Sequence, residues 1–88
     1  MEAAEDRPAG TATEFPVYRQ LRDGRHYYRI EGPEAFTELQ RVGARVVVHR
    51  VAAMAYPEKL RIADMLSGSD GRFLPLEVEE WQRLFDLI

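Results

Sequence analysis

The stretch FPVYRQLRDGRHYYRIE, residues 15–31, decides the fold that we predict for this chain. Two runs of alternating apolar and polar residues flank the dipeptide Asp23-Gly24. This dipeptide favours a two-residue type I′ turn, because both of its positions need a positive φ. The pattern therefore predicts a β-hairpin in which Val17 lies opposite Ile30.

The two faces of this hairpin differ in chemical character. Because alternate residues of a strand point to opposite faces, Val17, Tyr28 and Ile30 share one face, which we expect to cover the core. The opposite face is polar, cationic and aromatic, and it carries Tyr18, Gln20, Arg22, Arg25, Tyr27 and Arg29. We expect water to reach this second face.

The segment after the hairpin has the features of a helix. Gly32-Pro33-Glu34 is typical of a helix start, because proline is tolerated at the first helical position and an acidic residue favours the first turn. An apolar stripe at helical spacing and a closing glycine follow, namely Ala35, Phe36, Leu39, Val42 and Gly43. We therefore predict a helix between the hairpin and the next strand.

The run Ala44–Ala53 predicts a strand. Its β-branched side chains fall on both faces, which is typical of a central strand covered on both sides; they are Val46, Val47, Val48 and Val51. The segment that separates this strand from the hairpin is near the minimum length for a helical crossover. A right-handed βαβ unit is therefore one arrangement of these elements.

The C-terminal third is predicted to be mostly helical. Residues 57–66 favour a helix, although the alternation of apolar and charged residues within them also fits a strand. Residues 67–71 have the composition of a loop, and residues 73–76 fit a short edge strand that tolerates Pro75. A final helix is predicted from an acidic first turn and one apolar stripe, formed by Val78, Trp81, Leu84, Phe85 and Ile88.

Together these elements predict a small, two-layer α+β domain. It consists of the β-hairpin, a third, central strand, and two or three helices packed on the sheet. We place this single domain in residues 15–88. Residues 1–14 contain proline, glycine and small side chains that cannot repay the entropy of ordering, and they hold four acidic residues against one arginine. They are therefore predicted to form a disordered acidic tail.

Composition excludes several classes of protein. The chain has 88 residues and no cysteine, so neither a disulfide framework nor a thiolate metal site stabilises it. No apolar run is long enough to span a bilayer, and the N-terminus lacks the basic start of a secretory signal. We therefore expect a cytoplasmic protein that has no membrane partner.

No catalytic or cofactor-binding motif is present. His26 and His49 lack the spacing of a metal site, and the serines of the glycine-rich loop lack the strand–turn–helix frame of a nucleophile. The glycine-rich motifs that cradle phosphates are also missing. We therefore predict that the protein is not an enzyme and that it holds no metal and no other cofactor.

Two functional hypotheses remain. The first is a non-catalytic protein-interaction or regulatory module that binds an unknown protein partner or forms a homodimer. Its basis is the division of the folded part into a basic N-terminal half and an acidic C-terminal half. The alternative is a nucleic-acid-binding module, since arginine neutralises phosphates while tyrosine stacks on bases. Its binding residues would be Tyr18, Arg22, Arg25, Tyr27 and Arg29, with Arg41, Arg45 and Arg50 as an extension.

Overall fold

The structure, a computed structural model, describes residues 14–68 and 71–88. In chain order its elements are β1 (Val17–Leu21), β2 (His26–Gly32), β3 (Ala35–Val42), β4 (Arg45–Ala52), α1 (Tyr56–Ser67), β5 (Phe73–Pro75) and α2 (Val78–Phe85). The five strands form one antiparallel sheet in the order β4-β3-β2-β1-β5. The fold is therefore α+β, as predicted, but with more strands than the hairpin and single third strand that we expected. The tail predicted for residues 1–14 lies outside the described residues, apart from Glu14.

The hairpin of β1 and β2 has the predicted register and a different turn. Val17 lies opposite Ile30, as expected. Gly24 has a φ of 75°, but no non-glycine residue in the described part of the chain has a positive φ. Asp23 therefore does not adopt the conformation that a type I′ turn requires, and that prediction is wrong. The amide of Gly24 instead donates to the carbonyl of Leu21 at 3.0 Å, within a longer connection that needs only one left-handed residue.

The helix predicted between Gly32-Pro33-Glu34 and Gly43 is wrong, because Ala35–Val42 forms β3. Phe36 and Leu39 resemble one helical stripe in the sequence, but in the strand they point to opposite faces of the sheet, and both are fully buried. A helix covers each face of the sheet, so β3 needs apolar residues on both sides. The spacing of these apolar residues along the sequence is therefore the same as in an amphipathic helix. Tertiary packing outweighs the local pattern that favours a helix.

β4 is an edge strand, not the predicted central strand, and β2 occupies the centre of the sheet. No βαβ crossover occurs within the described residues, because β2, β3 and β4 are successive antiparallel neighbours. The valines of β4 are half-buried. Valines occur on both faces of this edge strand because a helix partly covers the strand on each side of the sheet.

The predictions for the C-terminal third mostly agree with the structure. Residues 57–66 lie within α1, so the helical alternative is correct, and the short edge strand β5 contains Pro75 as expected. α2 begins at Val78 and buries Trp81 and Leu84. Ile88 was predicted in the same apolar stripe, but the helix ends at Phe85 and Ile88 is exposed, so that part of the prediction is wrong. Among the described residues, neither helix has both the length and the apolar character needed to cross a membrane.

The first core layer lies between α1 and one face of the sheet. Tyr28, Ile30 and Phe36 contribute from the strands, and Met65 contributes from α1. This is the hairpin face that was predicted to cover the core. Arg19, the charged residue on this face, donates from Nε to the carbonyl of Met65 at 3.0 Å and so satisfies an acceptor near the end of α1.

The second core layer lies between α2 and the opposite face of the sheet. Trp81 and Leu84 of α2 pack with Tyr27 and Leu39. The domain therefore has three layers, helix–sheet–helix, where two were predicted. The expectation that water reaches the second hairpin face is wrong over the area that α2 covers.

Candidate functional site

Three of the five predicted binding residues lie beneath α2. The ring centroid of Tyr18 is 5.8 Å from that of Trp81, and Tyr27 is 7% exposed. The guanidinium of Arg29 lies 5.4 Å from the centroid of the Trp81 ring. These three side chains hold α2 on the sheet. Nucleic-acid binding by the whole hairpin face remains an untested prediction, but the structure does not assemble its five residues into one open surface.

The other two predicted residues lie at one end of the sheet. Arg22 and Arg25 are exposed in the β1–β2 turn, which is beside the β3–β4 turn because β2 and β3 are antiparallel neighbours. Four exposed arginines flank these two turns, and we call them the arginine end: Arg22, Arg25, Arg41 and Arg45. This end of the sheet is the first candidate site.

Arg25 and Arg41 face each other across β2 and β3. The register pairs His26 with Gln40, and one position further the amide of Arg41 donates to the carbonyl of Arg25 at 2.8 Å. Directly opposite residues point to the same face of a sheet. Neither guanidinium has a partner among the residues that the structure describes. A groove of about 470 Å³ lies beside them.

Asp23 is the acidic residue of these two turns, and its carboxylate is already engaged. Its Oδ1 accepts the amide of Arg25 at 2.8 Å, and its Oδ2 lies 2.8 Å from Nδ1 of His26. The backbone hydrogen bond from Arg25 lowers the pKa of the Asp23 carboxyl, and the His26 ring adds to this effect. The carboxylate therefore stabilises the turn and does not pair with the arginine side chains.

The outer edge of β4 is the second candidate site. All eight residues of the strand pair with β3 on the inner side without a register shift. No strand in the described ranges pairs with the outer side. Val46 and Val48 pack against the α2 layer and Val51 against the α1 layer, whereas Val47 belongs to neither layer. The edge is therefore regular and open; it holds four valines, and Arg45, His49 and Arg50 are exposed on it.

The two histidines do not come together. They lie on β2 and β4, which β3 separates. His26 binds Asp23, and Nε2 of His49 lies 3.2 Å from Oε1 of Gln40. Within residues 14–68 and 71–88, no group of three or more histidine, aspartate or glutamate side chains is arranged to hold a metal ion.

The hydroxyl of Tyr28 forms a polar cluster between the sheet and α1. Tyr28 is 1% exposed, and Nη2 of Arg61 donates to its Oη at 3.1 Å and to Oε2 of Glu38 at 3.4 Å. Burial raises the pKa of Tyr28 to about 12; the negative charge of Glu38 acts in the same direction and Arg61 opposes it. The phenol is therefore protonated at neutral pH and serves as a hydrogen-bonding group that ties α1 to the sheet.

We expect the stability of the domain to fall between pH 10 and pH 12 because of Tyr28. The pKa is 10.0 for an ordinary tyrosine and about 12 in the fold, so folding favours the protonated form. This contribution is complete below pH 10 and is lost as the pH rises through 12; it amounts to about 2–3 kcal/mol. Urea unfolding followed by circular dichroism from about pH 9 to about pH 12 measures it. Tyr28→Phe is the control, and equal pH slopes for both chains would contradict the assignment.

No protein-family model, curated protein or solved structure matches this chain. Its function is therefore inferred from the two candidate sites. Sequence reasoning missed the edge of β4 because it placed this strand at the centre of the sheet. Val42 and Gly43 indicate a helix end in the sequence, but the Val-Gly-Ala segment between Arg41 and Arg45 also fits a tight turn between two strands. A turn in this segment places Arg41 and Arg45 at the end of a hairpin.

Proposed function

We propose that this protein is a non-catalytic interaction module that forms a homodimer through the outer edge of β4. The observation that supports the proposal is the contrast between the two edges of the sheet. β5 has three residues and ends at Pro75, which lacks an amide hydrogen, and both features protect an edge from pairing. β4 has eight residues without proline. β4 carries two exposed arginines, Arg45 and Arg50, but a long edge strand without proline and without a bulge is still a surface for adding another strand.

A second copy of the chain is the occupant that fits this edge. Two identical edge strands related by a two-fold axis pair antiparallel, so the residue at the axis lies opposite itself. With Val48 at the axis, Val47 lies opposite His49 and Arg45 lies opposite Val51 of the second copy. No arginine then faces an arginine, and β-branched side chains meet at the centre. An axis at His49 would place two imidazoles opposite each other.

The charges at the two ends of the sheet favour the same arrangement. Arg45, part of the arginine end, starts β4, whereas the acidic Glu34 lies beside the other end of the strand. The carbonyl of Glu34 accepts the amide of Ala53 at 2.7 Å, just after β4. Antiparallel pairing therefore brings the arginine end of each copy toward the acidic residue of the other. A parallel arrangement would place the two arginine ends together.

The dimer is expected to dissociate when a lysine is introduced into the edge strand. Val47→Lys is the informative variant, because Val47 lies on β4 but in neither core layer, and lysine is a residue that natural edges use against pairing. We expect the dissociation constant of the dimer to rise at least about tenfold, or 1.4 kcal/mol. Sedimentation velocity over a series of protein concentrations measures this change.

Val42→Lys is the matched control for the edge variant. Val42 is 51% exposed at the end of the inner strand β3, so the same substitution there is expected to leave dimerisation unchanged. A native chain that remains monomeric up to about 1 mM would overturn the proposal. Equal weakening by the two lysine variants would also overturn it, because the effect would then come from net charge.

Cysteine cross-linking tests the register. The chain has no cysteine, so Val48→Cys introduces a single thiol at the proposed axis. Self-paired Cα atoms lie about 4.5–5.5 Å apart in an antiparallel pair, within the range of about 4.4–6.8 Å that a disulfide spans. We expect a cross-linked dimer under mild oxidation. Ala52→Cys is the control on the same strand, and preferential cross-linking there would contradict this register.

A further inference from the structure

We infer that Arg25 and Arg41 form a binding site for a small phosphate-bearing anion at the arginine end. A backbone hydrogen bond of 2.8 Å holds the two residues opposite each other. Like charges that lie directly opposite each other destabilise a sheet. No described residue pairs with either guanidinium, so the described part of the chain leaves this unfavourable interaction in place. A bound anion would remove it.

The groove beside these arginines has room for such an anion. It has a volume of about 470 Å³, and both turns line it: Gly24, Arg25, His26, Gln40, Arg41, Val42 and Gly43. At Gly24 and Gly43 no atom beyond the neighbouring residues lies within 4 Å of the position that a Cβ would occupy, so the space beside both glycines is open. A guanidinium donates two parallel hydrogen bonds to phosphate oxygens. Two opposed arginines therefore match an anion with several such oxygens.

The surrounding charges favour an anion. Arg22 and Arg45 add two positive charges at the same end of the sheet. Arg22 donates from Nε to the carbonyl of Gly71 at 3.0 Å, a neutral acceptor that leaves the positive charge in place. Asp23 adds one negative charge, and its carboxylate is bound to His26 and to the Arg25 amide, so four arginines stand against one aspartate in these two turns. The electrostatic potential at the groove is therefore positive.

The geometry favours a small ligand over a strand of nucleic acid. Proteins that bind single strands stack the bases on accessible aromatic rings, but Tyr18 and Tyr27 pack in the α2 layer. Residues 15–88 also contain equal numbers of acidic and basic residues, so they lack the net positive charge that is typical of a nucleic-acid-binding domain. Inorganic pyrophosphate is a suitable probe, because it carries two phosphate groups and no base.

Titration with pyrophosphate at low ionic strength, followed through the NMR shifts of backbone amides, tests the site. We expect saturable shifts in residues 24–26 and 40–43 of the native chain. Arg41→Gln removes one guanidinium and keeps a polar side chain of similar length. It is expected to raise the dissociation constant at least about tenfold, which corresponds to 1.4 kcal/mol. Arg25→Gln is expected to have an effect of the same size.

Lys59→Gln is the matched control for charge. Lys59 is exposed and has no side-chain partner within the described ranges, and it lies in the first turn of α1, which follows the end of β4 opposite the arginine end. The variant loses one positive charge as well, so we expect the dissociation constant to change by less than about twofold. Equal weakening by Lys59→Gln and Arg41→Gln would overturn the proposal. The absence of saturable shifts in the native chain would overturn it as well.

Thermal unfolding provides a second measurement of pyrophosphate binding, and it also shows whether a variant is folded. Pyrophosphate is expected to raise the melting temperature of the native chain more than that of Arg41→Gln. Without ligand, the variant should melt no lower than the native chain, because it lacks the like-charge pair. A clearly lower value would count against the site, since the arginines would then stabilise the fold by themselves. Binding of an oligothymidylate that excess pyrophosphate does not displace would show that the ligand class is wrong.

Discussion

Replacement of Trp81 by alanine is expected to lower the free energy of unfolding by about 3–5 kcal/mol. The Trp81 side chain is 1% exposed, stacks on Phe85 with ring centroids 6.3 Å apart, and lies 5.4 Å from the guanidinium of Arg29. α2 has eight residues, and a helix of this length is not stable without packing. A core of this size supplies about 3–5 kcal/mol in total. Urea unfolding followed by circular dichroism should therefore show a largely unfolded variant even without denaturant.

Two control variants separate the loss of packing from other effects. Trp81→Phe keeps an aromatic ring and removes Nε1, which finds no acceptor among the described residues. A buried donor without a partner costs about 1–3 kcal/mol, so its removal offsets part of the lost contact. Val78→Ala, at a position that is 47% exposed, is expected to change stability by less than about 0.5 kcal/mol. Equal stability of Trp81→Ala and Val78→Ala would contradict the packing of α2.

Phe36→Ala is expected to have the second large effect, also about 3–5 kcal/mol. Phe36 is 1% exposed and points from β3 into the α1 layer. Its ring lies 6.0 Å from that of Tyr28 at an angle of 67°, and the guanidinium of Arg61 lies 5.4 Å from it. A sheet and a helix line the resulting cavity, and such surroundings relax only in part. Because this loss is again as large as the stability of the core, Trp81 fluorescence without urea should be that of a largely unfolded chain.

Conservative variants show whether the two core layers act independently. Phe36→Leu preserves most of the apolar volume and is expected to cost about 1 kcal/mol. Because Phe36 and Trp81 lie in different layers, the effects of Phe36→Leu and Trp81→Phe should add within about 0.5 kcal/mol. A larger coupling would contradict the separation of the layers by the sheet.

The hairpin was predictable because its information is local. The Asp23-Gly24 dipeptide and the alternating residues around it define which positions face each other. The pairing of Val17 with Ile30 is the same for the expected turn and for the observed one. α2 was predictable for a similar reason, because its acidic first turn and the stripe through Trp81 lie within one short segment.

β3 was not predictable from its own residues. A strand that is buried on both faces loses the simple alternation of apolar and polar residues by which strands are recognised. Phe36 belongs to the α1 layer and Leu39 to the α2 layer. The two helices that bury these residues lie later in the chain, and nothing within residues 35–42 indicates their positions.

The candidate sites were predictable only in part, for the same reason. Alternation along β1 and β2 correctly placed Tyr18, Tyr27 and Arg29 on one face, but it carries no information about the helix that packs on that face. Arg22 and Arg25 are exposed because they lie in a turn that α2 does not cover. The opposition of Arg25 and Arg41 depends on β3 being a strand, so an interpretation of that segment as a helix could not reveal it.

By itself, the sequence determined the register of the hairpin, the position of α2 and the α+β class, because these depend on residues that are close together in the chain; for residues 57–66 it favoured a helix and left a strand as the alternative. Only the tertiary structure decided that residues 35–42 are extended, that β4 lies at the edge of the sheet, and that Arg25 faces Arg41. These features depend on which face of the sheet each helix covers and on which strands lie at the edges of the sheet. Those contacts join distant parts of the chain, and local patterns of residues do not specify them.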